Sequence, residues 1–233
     1  MARLPRFAVA GQPHLVIQPV RAGASLFRCE EDRTDYFGAM VDAIPEKGIA
    51  LHAFSLVDEA VYLLLTPALE TDLSRFVQSV KRRYAAAARR RHGPGRVEWA
   101  GRFQAAPIDP DTHLVAAVLA VEQAPLRGRL VSAAIDWRWS SARHHAGLEA
   151  CRSIVEHPAW WHTGNTPFER QARHRERLET HVPELQLAAL LAAARRGWPL
   201  GSTTFLATLG GTAYRAVKPL SRGRPRLANS ENR

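Results

Sequence analysis

The sequence predicts an α+β fold: a four-stranded antiparallel sheet with helices, in split βαβ order. Two observations predict it. Strand-like and helix-like segments run strand, helix, strand, strand, helix, strand, and then one more helix. The 233 residues are 46% hydrophobic and 23% charged, enough apolar side chain to bury a real core.

The segments follow in order. His14 to Gln18 (HLVIQ) reads as a first strand after a Gly-Gln-Pro turn. Cys29 to Ile44 reads as a helix, because Tyr36, Phe37, Met40, Val41 and Ile44 recur at helical spacing behind the acidic start Glu30, Glu31, Asp32. Ile49 to Leu56 and Ala60 to Leu65 read as strands joined tightly through Asp58-Glu59. Leu73 to Arg91 is a long basic helix with Leu73, Phe76, Val77, Val80 and Tyr84 on one side, stopped by His92-Gly-Pro-Gly95. Phe103 to Ile108 is the fourth strand, and Asp111 to Gln123 a helix opened by Asp109-Pro110. This is the ferredoxin-like arrangement, expected to carry its helices on one face of the sheet.

Beyond about residue 150 the texture changes. Thr166 to Glu179 reads as a charged helix, Pro183 to Arg196 as an Ala/Leu-rich helix, GWPLG as a turn, and Ser202 to Leu209 as a short helix behind a Ser cap. The expected organisation is a sheet domain over 1–150, a helical extension over 151–211 and a basic disordered tail over 212–233. The extension reads either as a helix-turn-helix that meets DNA or as a helical hairpin packed on the first domain.

No apolar run reaches the ~18 residues that span a bilayer. Two cysteines, Cys29 and Cys151, exclude a disulfide framework and a cysteine-built zinc site. The N-terminal apolar stretch is too short for a secretion signal. The chain is therefore expected in the cytoplasm, with no membrane partner.

Charge points to a polyanion. The net charge is +10, and it is concentrated. Residues 81–103 hold Lys81, Arg82, Arg83, Arg89, Arg90, Arg91, Arg96 and Arg102 against Glu98 alone, and residues 212–233 hold a second excess, while the remainder is slightly acidic. A solvated basic face is the plainer alternative, and arginine excess also accompanies GC-rich genomes. The tail sequence Ser221-Arg-Gly-Arg-Pro-Arg226 has the composition of an AT-hook, in which Arg222 and Arg224 would enter a minor groove, and equally that of a generic basic tail.

Several segments together resemble the REP-associated tyrosine transposases, single-tyrosine HUH enzymes linked to bacterial repeat hairpins. They are the opening MARLPRFAVAGQPHLVIQ, the strand pair HAFSL and VYLLLTP, the basic helix Ser74 to Gly95, Trp99-Ala-Gly-Arg-Phe103 (W-x-G-R-F), Pro125 to Val131 (N-P-V-R-A-G-L-V), Trp139-Ser-Ser-Ala-Arg143 (W-S-S-Y-R), GWPLGSTTFL and the closing RGRPR. The series covers nearly the whole chain in one order. It implies DNA transposition: two histidines on a central strand hold Mg²⁺ or Mn²⁺ against the scissile phosphate, a helical tyrosine attacks it, and an Asn four residues on completes the metal site.

The chemical positions depart from that pattern. P-N-H-V-H-L-L aligns with Asp58 to Leu64, so the histidines are Ala60 and Tyr62. R-Y-I-E-L-N-P aligns with Leu119 to Pro125, so the nucleophile and Asn positions are Ala120 and Ala124. R-G-N-N is replaced by Pro19-Val-Arg-Ala22. The expectation is a DNA-binding protein without intact catalytic residues and with no cofactor, reading hairpin or single-stranded DNA through Lys81, Arg82, Arg83, Arg89, Arg90, Arg91, Arg102, Arg127, Arg222, Arg224 and Arg226. Trp99 is a candidate for stacking an unpaired base, or a core residue. The family occurs as monomers and dimers, so a homodimer stays open. Two other readings are an active transposase or endonuclease using Tyr62 or Tyr84 as substitute, and an RNA-binding module of similar outline. His52 reads as structural, and His144, His145, His157, His162, His174 and His181 as surface or partly buried residues without ligand spacing.

Overall fold

The computed structural model describes residues 7–94, 97–212 and 216–217. Its sheet contains β1 (His14–Pro19), β2 (Ile49–Val57), β3 (Ala60–Pro67) and β4 (Gln104–Pro107), in the order β2-β3-β1-β4 with every pairing antiparallel. The helices are α1 (Glu30–Glu46), α2 (Asp72–His92), α3 (Pro110–Glu122), α4 (Ala124–Arg127), α5 (Ala142–His145), α6 (Pro167–Glu179), α7 (Glu184–Arg196) and α8 (Thr203–Thr212). The split βαβ order of the sequence is therefore the order in space. Among the described residues no helix is long and apolar enough to cross a membrane.

The expectation of helices on one face needs correction: both faces are covered. Val16, Leu51, Phe54, Leu56, Val61, Leu63 and Leu65 face α1 and α2 in a first core. Leu15, Ile17, Ala53, Val57, Ala60 and Leu64 face α3 and α7 in a second. The reason is visible in the strands. LVI in β1 and LLL in β3 are continuous apolar runs, which a pleated strand presents to both sides, so a second layer must cover the far face.

The first core is centred on three rings. Phe27, Tyr36 and Tyr84 meet edge to face, with centroids 5.2 to 5.9 Å apart, contacts worth about 0.5–1.5 kcal/mol each beyond their buried area. The Tyr84 hydroxyl donates to the Leu26 carbonyl at 2.6 Å. Tyr84 is thus a core residue, 1% exposed, and burial pushes its phenol far above the ordinary range.

In β2 the register shifts between Leu51 and Ala53. This bulge at His52 puts Leu51 and Phe54, three residues apart, into the same core. The His52 ring is buried, its Nδ1 2.6 Å from the Val155 carbonyl and its Nε2 2.8 Å from the Thr66 hydroxyl. The outer edge of β2 is closed by the chain that follows α4. Leu56 N–H donates to the Trp139 carbonyl, Ser141 N–H to Phe54, and Val155 N–H to Leu51. The W-S-S-A-R segment therefore seals a sheet edge that would otherwise offer free backbone groups.

The second layer starts from a well-made helix end. Asp109 caps α3 by accepting from Asp111 N–H, and Pro110 sits at the first helical position. The other Asp109 oxygen accepts from Ser202 N–H at 2.9 Å, and Asp109 N–H donates to Leu200. These bonds tie the α7–α8 connection to the end of β4. Helix α7 packs on β4, β1 and α3, with Leu190 and Ala194 in the second core. It ends at Gly197, whose φ of +69° is the left-handed cap a glycine adopts freely. Of the basic tail, Arg222, Arg224 and Arg226 lie outside the described residues, as does Arg96.

Candidate functional site

Strand β3 and helices α3 and α4 bring the four aligned positions into one core. Ala60, Ala120 and Ala124 are buried in the second core, and the half-buried Tyr62 packs against it. Ala120 lies on α3, and Ala124 opens α4 directly after the Gln123 cap.

What meets there is apolar. Three methyl groups offer no lone pair and no nucleophile. The polar groups at this point are the Tyr62 hydroxyl and the Arg127 guanidinium. Arg127 stands 5.7 Å from the Tyr62 ring centroid and donates from Nη2 to the Ala120 carbonyl. Desolvation pulls the Arg127 pKa below the ordinary arginine value and the Tyr62 oxygen pulls it back up, so the group remains a cation. A divalent metal of the kind the resemblance implies needs carboxylate, imidazole or similar donors. Three alanines, a phenol and a fixed positive charge do not fit one.

Beside Tyr62 an open cleft of about 970 Å³ lies over this side of the sheet. Its floor is Ile17, Ala60 and Tyr62, and its walls carry Arg21 from the loop after β1 and Arg195 from α7. Arg21 is paired with Glu98 at 2.9 Å. Asp58 and Glu59 line the cleft from the β2–β3 turn, and Asp58 is bound by Arg33.

The basic residues of α2 fall into two sets. Arg83 forks onto both Glu46 oxygens at 2.7 and 2.8 Å. Arg91 donates to Asp32 at 2.9 Å and Asp35 at 2.6 Å. Both side chains thus bind α1. Those carboxylates raise the Arg91 pKa further above its ordinary value, Asp35 foremost. Arg82, Arg89, Arg90 and, in the next loop, Arg102 are exposed and have no ion-pair partner among the described residues. Lys81 places its ammonium 4.5 Å over the Trp99 ring, and that indole packs on the first core.

Two groups of three potential metal ligands come together elsewhere among the described residues. In the first, Asp32 accepts from Arg28 N–H, Arg91 and His92, so its oxygens are already occupied. The Cys29 thiol beside it is pushed up, chiefly by its hydrogen bond to Glu31, which disfavours the thiolate a metal needs.

The second group is one the sequence reading missed. Glu122, His145 and His174 are at most 4% exposed. Glu122 Oε1 accepts from Ser141 at 2.6 Å and lies 2.6 Å from His145 Nδ1, while Oε2 lies 2.7 Å from His174 Nε2. Burial works to raise the Glu122 carboxyl, but the two imidazoles and their hydrogen bonds outweigh it and hold it well below the usual carboxylate range. The expectation that His145 and His174 are surface or partly buried is thus corrected. A signal was present: Glu122 closes a run of eight residues, Leu114 to Val121, without a polar side chain, and a charge on a buried helix needs partners.

No protein-family model matches the chain, and no curated protein matches its sequence. Several solved structures resemble it. A REP-associated tyrosine transposase bound to a REP hairpin is similar over 68% of this chain and 96% of its own, with a TM-score of 0.55 and 16% identity. A Deinococcus radiodurans R1 protein taken to be a transposase is similar over 49% of this chain and 91% of its own, with a TM-score of 0.37 and 16% identity, a likeness too loose to build on. The first similarity establishes a shared fold.

Proposed function

We propose that this protein binds DNA, in hairpin or partly single-stranded form, on a transposase-like scaffold from which the strand-cleavage chemistry has gone. One observation carries the reading. The four positions where the resemblance expects two ligands, a nucleophile and an Asn carry Ala60, Tyr62, Ala120 and Ala124, all in or against the second core. Basic elements suited to binding stand on the other face of the sheet, along α2. Arg82, Arg89, Arg90 and Arg102 stand exposed to meet phosphates, whereas Arg83 and Arg91 serve to hold α2 against α1. The similar structure bound to a REP hairpin supports a DNA partner. The fit of α7 into the second core supports the extension as a packing layer rather than a free helix-turn-helix.

The chain's own residues supply binding and positioning. Arginine forks match phosphate oxygens, and the guanidinium of Arg127 sets a positive charge beside the cleft at Tyr62 without any metal. Fluorescence anisotropy with a labelled stem–loop DNA tests the reading. Binding is expected to be equal in Mg²⁺ and in EDTA at matched ionic strength, with a suicide substrate giving no covalent adduct. A metal-dependent adduct would sink the inactive reading, and a Tyr62→Phe variant that lost it would assign the chemistry to Tyr62. No binding at moderate salt would sink the DNA reading.

A further inference from the structure

A second concavity lies on the other side of the sheet, between α2 and the Trp99-Ala-Gly-Arg-Phe103 segment. It measures about 560 Å³, within the range of small-ligand clefts. Val77 and Ala85 from α2, with Trp99 and Phe103 opposite, give it an apolar lining. Its rim is cationic, with Arg82 on the helix side and Arg102 on the loop side, both exposed and without an ion pair among the described residues. Gly101, at φ +95°, makes the turn that brings Arg102 and Phe103 along the helix.

The chemistry of this groove is two-part. Its floor offers flat aromatic surface, and its lips offer planar forks for phosphate oxygens. A nucleotide has those two parts: a base with a π-face and a charged linkage on either side. Lys81 covers the Trp99 ring by a cation–π contact. A flexible ammonium exchanges that contact for a phosphate when a base arrives, which keeps the local charge balance favourable. A base paired inside a duplex has no free face to give, so an unpaired one fits better.

We propose that this groove holds one unpaired nucleotide of a bound DNA strand, its base against Trp99 and its flanking phosphates on Arg82 and Arg102. The inference rests on the DNA-binding reading above and adds where, and in what form, the strand is read. It lies on the α1/α2 face, away from the cleft at Tyr62.

Two stem–loop DNAs of one sequence test it, one blunt and one with a four-nucleotide single-stranded overhang, titrated at fixed salt. The overhang is expected to tighten binding about tenfold. In a Trp99→Leu variant, shown folded by circular dichroism, the ratio of the two affinities should fall to about one. With the unmodified protein, an overhang carrying 5-iodouracil should cross-link to a peptide containing residues 99–103. Equal binding of the two DNAs overturns the groove assignment and leaves the DNA-binding reading standing. So does a full overhang gain in Trp99→Leu, or a cross-link that maps elsewhere. An RNA overhang preferred over DNA overturns the assignment to DNA. If neither DNA binds, the underlying reading fails and this inference with it.

Discussion

Two sides of helix α3 make the clearest contrast in the molecule. On one side, Ala120, with Ala124 of α4 after it, shares a core with Ala60 and Tyr62 of β3, and Arg127 donates to the Ala120 carbonyl. On the other, two residues and about 200° from Ala120, Glu122 gathers Ser141, His145 and His174 in a buried polar cluster. The side groups best suited to acid–base chemistry are therefore consumed in holding α3, α5 and α6 together. The open cleft beside Tyr62 has no histidine in its lining, and of its carboxylates Asp58 is bound by Arg33. A perturbed carboxyl marks a functional site only when a substrate can reach it, and Glu122 is sealed.

The largest test of this contrast is to remove the buried anion. Glu122→Ala strands three donors in the interior and should cost about 3–5 kcal/mol, read as a lowered denaturant midpoint. Ala120→Ser, on the cleft side, should change stability by less than about 1 kcal/mol. Equal effects would erase the distinction between the two sides.

Acidification should act next. Burial lowers the His14 and His52 pKa values from 6.5 to about 4. Between those values the unfolded chain binds more protons, so the stability these neutral rings allow is complete above pH 6.5 and is lost as pH falls through about 4. Each contributes up to about 3 kcal/mol across that window. Glu122 adds a loss at lower pH still, once acid falls below the ordinary carboxylate range and toward its depressed value. Urea titrations from pH 7 to 4 should show the decline, and His52→Gln should flatten it. A pH-independent midpoint would refute the burial argument.

The two sets of arginines on α2 give a third separation. Replacing Arg82, Arg89 and Arg90 by alanine should flatten the slope of log affinity against log salt by about 0.9 for each duplex phosphate contact removed, with the melting temperature unchanged. Arg83→Ala and Arg91→Ala should do the reverse, lowering the melting temperature and sparing the slope. The smallest effect is expected at Arg129, the one non-glycine residue with positive φ, at 55°, among those described. Arg129→Gly should relieve the left-handed backbone and stabilise by up to about 1 kcal/mol, measured by chemical denaturation.

The sequence reading and the structure differ in an instructive way. Helical spacing in Tyr36 to Ile44 and the basic stripe of α2 are local patterns, and both helices stand within two residues of where the pattern puts them. The identity of Arg83 and Arg91 as clamps was not legible, because Glu46, Asp32 and Asp35 reach them only once α1 and α2 lie side by side. Trp139 to Arg143 was readable as a motif, but its work on the β2 edge was not, since those hydrogen bonds join residues more than 80 positions apart.

By itself the sequence determined the order of the strands and main helices and the place of the excess charge, because periodicity and composition are properties of neighbours along the chain. The tertiary structure alone decided that both sheet faces are covered, that Glu122 meets residues 23 and 52 positions away, and that Arg83 and Arg91 are held by α1 carboxylates while Arg82, Arg89, Arg90 and Arg102 have no ion pair among the described residues. Those outcomes depend on which groups exclude water from one another, and that is settled only when distant segments pack.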